Sequence, residues 1–286
     1  MNKNKAFIYL IIALMLLLLQ AAFAQKKVYI APEASQLKGT SDEHLHLYVL
    51  DLLGADCMLL KYGDNNMLID LGLEKQFPQL KNMLDTLDVK DVSVFNTHPH
   101  TDHLGGIYGL TENFNVKWVF TAFPEDVSGY QVMQKAASEH LSKKGIRMIR
   151  LMPLSIVPFH EDINIKILQN EKGRDVNECS AMLKISYKNA ELLLTADISA
   201  GSQTFFYENF AEEIKADIIK SPHHGLEDLK KKFLSCVSPE FCFFTHGSAN
   251  TKKMQETLKK NNIPFLFATQ GIIHIETDGE TLYVIQ

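Results

Sequence analysis

The stretch Asn96-Thr-His-Pro-His-Thr-Asp-His-Leu-Gly-Gly106 places four potential metal ligands within six positions: His98, His100, Asp102 and His103. It follows an apolar run, Val92–Phe95, of the kind that forms a buried strand. Imidazole and carboxylate groups are the ligands that zinc, manganese and iron prefer. The spacing does not match the helical zinc motif, which needs two histidines four positions apart on one helix face.

A loop leaving a strand could present these side chains to two metal ions. Two histidines would hold one ion, while Asp102 and His103 turn towards the second. The competing interpretation is a histidine-rich surface loop, or imidazoles that hydrogen-bond within the core. The later candidate ligands favour a site with two metals, because they fall where such a site would need them.

The string His-x-His-x-Asp-His resembles the first metal motif of the metallo-β-lactamase fold superfamily. Leu192–Ile198 resembles the strand that ends in that family's bridging aspartate, here Asp197. Ser221-Pro-His-His-Gly225 is similar to the loop that carries the last histidine ligand. The resemblance covers roughly residues 44–285 and implies a four-layer αββα sandwich.

The motifs favour one branch of the superfamily. This branch holds the soluble domain of the ComEC-type competence proteins and the phosphorylcholine esterases. Leu50–Asp56 and Met67–Gly72 resemble its opening strands, and the His-His-Gly form of the last motif is typical of it. The branch's Gly-Gln-Gly-Asp turn is changed here to Leu-Gly-Ala-Asp56. Asp56 is expected to hydrogen-bond a metal-binding histidine from behind.

The resemblance also implies roles for the individual side chains. His98 and His100 would hold the first metal, the second would be held by Asp102, His103 and His224, and Asp197 would bridge both. The nucleophile would be a metal-bridging hydroxide, which Asp102 could also orient. Of the two adjacent histidines, His224 is the expected ligand, because neighbouring side chains seldom point at one centre. His223 would then contact the substrate or protonate the leaving group. Zinc is the expected metal, with manganese as the alternative.

The sequence departs from the family where another histidine is usual, about twenty residues before the bridging aspartate. Asp175–Ser180 has none, so Asn177, Cys179 or water would complete the first metal's ligands. For Cys179 a buried apolar thiol is the competing interpretation. His246 follows a further apolar strand and could reach the site, although a surface histidine is the simpler interpretation.

The N-terminus is typical of a secretory signal peptide. Lys3 and Lys5 precede an apolar run, Ala6–Leu19, and Ala22-Phe-Ala24 is a small-x-small cleavage site. We therefore predict a signal peptide over residues 1–24, a hydrolase domain over 25–286 and export to the periplasm or the cell exterior. No stable membrane insertion is expected after cleavage.

Charge and cysteine content narrow the function further. The formal net charge of −5 becomes −7 without Lys3 and Lys5, because the basic residues fall from 29 to 27 against 34 acidic ones. This net negative charge argues against an extended groove that binds nucleic acid. The four cysteines are irregularly placed, and Cys236 with Cys242 is the one plausible disulfide pair.

Periodicity predicts a mixed chain with strands and helices in both halves. The helices are expected at Glu74–Leu87, Val127–Lys144, Ser202–Ile214, Leu226–Cys236 and Lys252–Asn261. The eleven predicted strands are His46–Leu50, Met58–Tyr62, Met67–Asp70, Val92–Phe95, Trp118–Phe120, Ile163–Leu168, Met182–Tyr187, Glu191–Thr195, Asp217–Lys220, Phe241–Thr245 and Ile272–Ile275.

Three functions remain open on the sequence. The first is an exported, metal-dependent phosphodiesterase, acting on a small-molecule or polymer ester such as nucleic-acid ends or surface phosphoesters. The second is hydrolysis of a lactone, lactam or thioester, since a metal-bound hydroxide attacks a carbonyl carbon as well as phosphorus. The third is a non-catalytic metal-binding relative. No motif indicates a protein partner.

Overall fold

Two β-sheets pack face to face in the residues that the computed structural model describes, which are 27–31, 41–124 and 131–286. The predicted signal peptide, residues 1–24, lies outside them. The strands in chain order are β1 (Val28–Ala31), β2 (Leu45–Val49), β3 (Cys57–Tyr62), β4 (Asn65–Leu71), β5 (Asp91–Asn96), β6 (Asn115–Thr121), β7 (Met148–Arg150), β8 (Ile163–Leu168), β9 (Met182–Tyr187), β10 (Ala190–Leu194), β11 (Ile218–Lys220), β12 (Phe241–Phe244), β13 (Phe265–Phe267), β14 (Ile273–Thr277) and β15 (Leu282–Ile285).

Each sheet has a parallel part whose strands end at the candidate site. The nine-stranded sheet runs β1-β15-β14-β2-β3-β4-β5-β6-β7, and β4 to β7 are parallel. The six-stranded sheet runs β13-β12-β11-β10-β9-β8, and β10 to β13 are parallel. Ligands at the ends of strands such as β5, β10 and β11 can meet because loops after parallel strands gather at one edge of a sheet.

Seven helices within the described ranges cover the outer faces of the sheets. They are α1 (Phe77–Thr86), α2 (Thr101–Leu104), α3 (Ile107–Asn113), α4 (Gln131–Lys143), α5 (Ala200–Asn209), α6 (Lys231–Val237) and α7 (Lys252–Lys260).

Three apolar cores separate the four layers. Between the sheets, Leu47 and Ile275 of the larger one pack with Ile165 and Phe243 of the smaller. Outside the larger sheet, α1, α3 and α4 bury residues such as Leu84 against its strands. The helices α5, α6 and α7 cover the other sheet in the same way. The predicted αββα sandwich is therefore confirmed.

The predicted elements are present, but several boundaries differ. Ile163–Leu168 and Met182–Tyr187 match their strands residue for residue. The helix predicted from Ser202 begins at Ala200, because the Ser199 hydroxyl accepts hydrogen bonds from the backbone N–H groups of Gly201 and Ser202. It ends at Asn209 rather than Ile214.

One further predicted helix begins later than expected, and another lies only partly within the described ranges. The helix predicted over Leu226–Cys236 starts at Lys231, since the backbone N–H of Lys230 donates to the side chain of Gln203. Of the helix predicted over Val127–Lys144, residues 127–130 lie outside the described ranges and Gln131–Lys143 is helical.

No disulfide joins Cys236 and Cys242, so the predicted pair is not formed. Within the described ranges no helix combines the length and apolar character that crossing a membrane requires.

Candidate metal centre

The histidine loop after β5 is shaped by a buried carboxylate at the end of the neighbouring strand. Asp70 of β4 accepts hydrogen bonds from the backbone N–H of Thr97 (2.8 Å), the Thr97 hydroxyl (2.7 Å) and the Asn96 amide (3.0 Å). Its Oδ2 also lies 2.7 Å from Nδ1 of His103 in α2. One side chain therefore fixes both the turn out of β5 and the orientation of a candidate ligand.

Asp197, in the loop after β10, lies at the centre of the cluster. Its Oδ2 is 3.2 Å from Nε2 of His103 and 3.3 Å from Nε2 of His224. Nε2 of His223 follows at 3.8 Å and Nε2 of His98 at 3.9 Å. One oxygen of this carboxylate thus has four imidazoles around it, and its role as a bridging ligand stays a prediction.

The adjacent histidines both face this aspartate, contrary to the expectation that they would point apart. The backbone takes left-handed φ angles at His223 (47°) and His224 (57°), which is unfavourable for residues with a Cβ. Gly225 follows at φ 101°, where an added Cβ would lie 2.3 Å from Cδ1 of Phe244. This strained turn directs both imidazoles towards Asp197. The choice of His224 rather than His223 as the metal ligand stays a prediction.

The remaining predicted ligands complete two groups. Nε2 of His98 lies 3.1 Å from Nδ1 of His100. Oδ2 of Asp102 lies 3.2 Å from Nε2 of His224 and 3.8 Å from Nε2 of His103. These are the groups that the family resemblance implies for two metals.

A second layer of buried charge supports His224. Oδ1 of Asp56 lies 2.9 Å from Nδ1 of His224 and accepts a hydrogen bond from the Thr245 hydroxyl (2.6 Å). The expected hydrogen bond between the Asp56 carboxylate and a candidate ligand, His224, is therefore present. Lys220 of β11, fully buried, lies with Nζ 2.7 Å from Oδ2 of Asp56.

Three of these supporting residues were not assigned a role from the sequence: Asp70, Lys220 and Thr245. The available signal was a charged residue inside an apolar strand. Asp70 and Lys220 are such residues, and a buried charge is retained only when it is paired.

The protonation state of the cluster follows from its carboxylates. Burial lowers the pKa of His103, but Asp197 and Asp70 outweigh it and raise that pKa to about 10. Burial likewise opposes a charge on His224, yet Asp197 and Asp56 raise its pKa well above the usual range. The pKa of Asp197 is held well below its ordinary value, because the charges on both histidines outweigh its own burial. The cluster thus concentrates positive charge between carboxylates, as a bound divalent cation would.

The donor set fits such a cation. Ligand atoms on a tetrahedral zinc with bonds of 2.0–2.1 Å lie about 3.3 Å apart, which matches the 3.2–3.3 Å contacts of Asp197 with His103 and His224. Oδ1 of Asp197 is buried without a hydrogen-bond partner among the described residues. Burial and the charge of His103 hold the pKa of His98 low, so its ring keeps a lone pair free for a metal.

Asn177, Cys179 and His246, the remaining candidates, make contacts of other kinds. Oδ1 of Asn177 is buried and makes no hydrogen bond within the described ranges, so its part in completing the first metal's ligands stays a prediction. Cys179 packs with Phe123 and Val176 in a small apolar cluster, as the buried-thiol interpretation expects. The His246 ring lies beside Gly54 and accepts a hydrogen bond from its neighbour's backbone N–H.

Comparison with known proteins gives this arrangement a family. The model of the metallo-beta-lactamase superfamily matches residues 50–239, more than half of the chain. The chain belongs to the metallo-β-lactamase superfamily. An uncharacterized protein of Escherichia coli K12, YcaI, is 23% identical over 186 residues, which are 63% of this chain and 22% of that protein. The chain thus spans under a quarter of the length of this curated relative.

Solved structures show the same superfamily fold. The metallo-beta-lactamase fold protein YhfI of Bacillus subtilis matches 82% of this chain and its own whole length, with a TM-score of 0.58 and 16% identity. CmlA, a diiron beta-hydroxylase of Streptomyces venezuelae, matches over 84% of this chain and 55% of its own, with a TM-score of 0.50 and 12% identity. The fold therefore hosts different reactions, and the function has to be argued from the site.

Proposed function

We propose that the protein is an exported, metal-dependent phosphodiesterase with two metal positions. The observation that carries the proposal is the ring of four imidazole nitrogens within 3.9 Å of Oδ2 of Asp197, with Asp102 beside it. His98 and His100 would hold one zinc or manganese ion, and the second would be held by Asp102, His103 and His224. Such ions supply Lewis-acid charge and lower the pKa of a bound water.

The residues of the chain divide the remaining work. Oδ2 of Asp102, on a side chain that is 28% exposed, can hold a proton or orient the attacking water at the mouth of the site. His223 is 31% exposed, and its Nε2 faces the same centre from the opposite loop. It is therefore placed to donate a proton to the leaving oxygen, which contributes roughly 10²–10⁴-fold in comparable enzymes.

The phosphodiester substrate is supported by the resemblance to the competence-protein and phosphorylcholine-esterase branch. A net charge of −5 disfavours an extended nucleic-acid groove. It is compatible with a small phosphodiester, a nucleic-acid end or a surface phosphoester, because bound cations would dominate the local potential. The apolar signal-like N-terminus supports export.

A second candidate, hydrolysis of a lactone or thioester, is favoured by an apolar wall beside the ligands. A cavity of about 400 Å³ opens next to the histidine loop, and α4 contributes one side of it. An acyl chain could pack there, since apolar surface gains about 25 cal/mol per Å² on burial. The residues of this cavity are Pro99, His100, Thr101, Asp102, Val132, Met133 and Ala136.

The deciding experiment measures metal content and turnover together. The full chain is assayed with bis(p-nitrophenyl) phosphate, with an acyl-homoserine lactone and with an acyl thioester. We expect about two metal ions at this centre and phosphodiester turnover, and His100→Ala should lose its turnover and the metal ion that His98 and His100 would hold. His140→Gln is the matched control, because His140 bonds Thr111 away from the centre. Turnover of only the carbonyl esters would replace the first candidate by the second, and metal without any turnover would favour a non-catalytic relative.

The two adjacent histidines are separated by the same assay. His223→Gln should retain its metal while kcat falls roughly 10²–10⁴-fold. His224→Gln should lose metal as well as turnover. A His223→Gln protein that loses metal to the same extent would show that His223 is a ligand.

A further inference from the structure

A second group of histidines lies on β2 and β14, whose side chains contribute nothing to the centre described above. None of the sequence motifs described above includes these histidines. Strand β2 alternates, so that Leu45, Leu47 and Val49 enter the core between the sheets while His46 faces the other side. The strand register places His46 directly opposite Glu276 of β14.

The polar atoms of this group converge. Nδ1 of His46 lies 3.0 Å from Nε2 of His274, and Nδ1 of His44 lies 2.7 Å from Oε1 of Glu276. Ligand atoms of His46, His274 and Glu276 all lie within 4.8 Å of one another. The exposed fractions of His44, His46 and Glu276 are 4%, 4% and 8%, so these three side chains are shielded from water, whereas His274 is partly exposed.

The imidazole of His274 is also held in place by packing. The Tyr48 ring stacks on it with centroids 4.3 Å apart and an interplanar angle of 7°.

We propose that His46, His274 and Glu276 form a separate site for one transition-metal ion, with His44 orienting the carboxylate. Two imidazoles and one carboxylate are a ligand set that zinc accepts. A histidine bonded to a ligating carboxylate is the usual supporting arrangement. The 3.0 Å between the two imidazole nitrogens is near the spacing of about 3.3 Å between neighbouring ligands of a tetrahedral zinc.

The site would connect distant parts of the chain. His46 and His274 are separated by 228 positions, and β2 and β14 are neighbours in the middle of the nine-stranded sheet. A metal held by both strands would stabilise their pairing without taking part in the reaction. The expected role is therefore structural, with a higher unfolding temperature in the loaded protein.

The test counts metal ions in the full chain after dialysis against Zn²⁺ alone. We expect His274→Gln to hold about one metal ion fewer than the wild type, with unchanged turnover and a smaller rise of the unfolding temperature on adding Zn²⁺. The matched control His140→Gln should keep the wild-type count. An equal count in His274→Gln and the wild type would overturn the proposal.

A second variant keeps the result decisive if His274→Gln fails to fold. Glu276→Gln retains an oxygen that can accept from His44 but loses the charge that binds metal. Titration of the metal-free protein with Co²⁺ should then show a visible absorption increment in the wild type that is missing from Glu276→Gln. An unchanged increment in a folded Glu276→Gln protein would refute the site. Since these readouts need no turnover, they stand apart from the test of the proposed function.

Discussion

Replacing Asp70 by asparagine tests whether a buried carboxylate sets the binding state of His103. The Asp70 side chain serves four polar groups, on Asn96, on Thr97 (two) and on His103. An asparagine offers one acceptor oxygen. If that oxygen keeps the contacts to Asn96 and the Thr97 N–H, its NH₂ group faces Nδ1 of His103 and donates to it. In the neutral ring the proton of His103 must then sit on Nε2, which removes the lone pair that would bind a metal.

The expected cost is a 10–100-fold loss of metal affinity, the usual effect of losing a group that orients a ligand. This corresponds to about 1.4–2.8 kcal/mol at 1.4 kcal/mol per tenfold. Affinity is measured by competition with a chromophoric zinc chelator, and the fold of the metal-free protein by circular dichroism. The control is Asp85→Asn, an exposed carboxylate of α1 paired with Lys81, which should leave affinity unchanged. A folded Asp70→Asn protein with affinity within about threefold of the wild type would refute the tautomer argument.

Two further predictions concern stability. Lys220→Met removes the cation that lies 2.7 Å from Oδ2 of Asp56 and should lower the free energy of unfolding by about 3–5 kcal/mol in urea denaturation. Combining it with Asp56→Asn should cost less than the sum of the single changes, and strict additivity would contradict the pairing. Hydrogen bonds from Arg174, against the penalty of burial, lower the pKa of Glu178 to about 2 from its ordinary 4.5. The stabilisation from a depressed carboxyl pKa is present above about pH 4.5 and is lost as the pH falls through about 2. The free energy of unfolding of Glu178→Gln should therefore be lower than that of the wild type at pH 7, by about 1–3 kcal/mol. This difference should vanish near pH 2. A difference independent of pH would show that the charge of Glu178 is not its cause.

The centre could be anticipated from the sequence because its ligands follow short apolar strands in recognisable strings. His98 follows one such run closely and shares its string with His103, Asp197 follows another, and the fold brings the strand ends together. The residues that hold the candidate ligands in position could not be predicted in the same way. Asp70 and Lys220 occupy ordinary strand positions, and only the tertiary structure shows which charged side chain each one pairs with.

The second histidine group was missed for a related reason. His46 and His274 lie in separate strands with no local motif, and it is the register of β2 with β14 that brings them together. Element boundaries failed where one side chain decided them, as Ser199 does for α5. Short edge elements such as β1 and β13 gave too few residues for a periodic signal.

The centre draws its side chains from both sheets, and this has a consequence for assembly of the protein. His98 and His103 come from the first half of the chain, whereas Asp197 and His224 come from the second. Neither half alone provides a complete ligand set, so tight metal capture must wait until the two sheets have docked. A nascent or partly unfolded chain would therefore bind its metals weakly. Metal binding would be a late step of folding, and it would stabilise the packing of one half of the chain against the other.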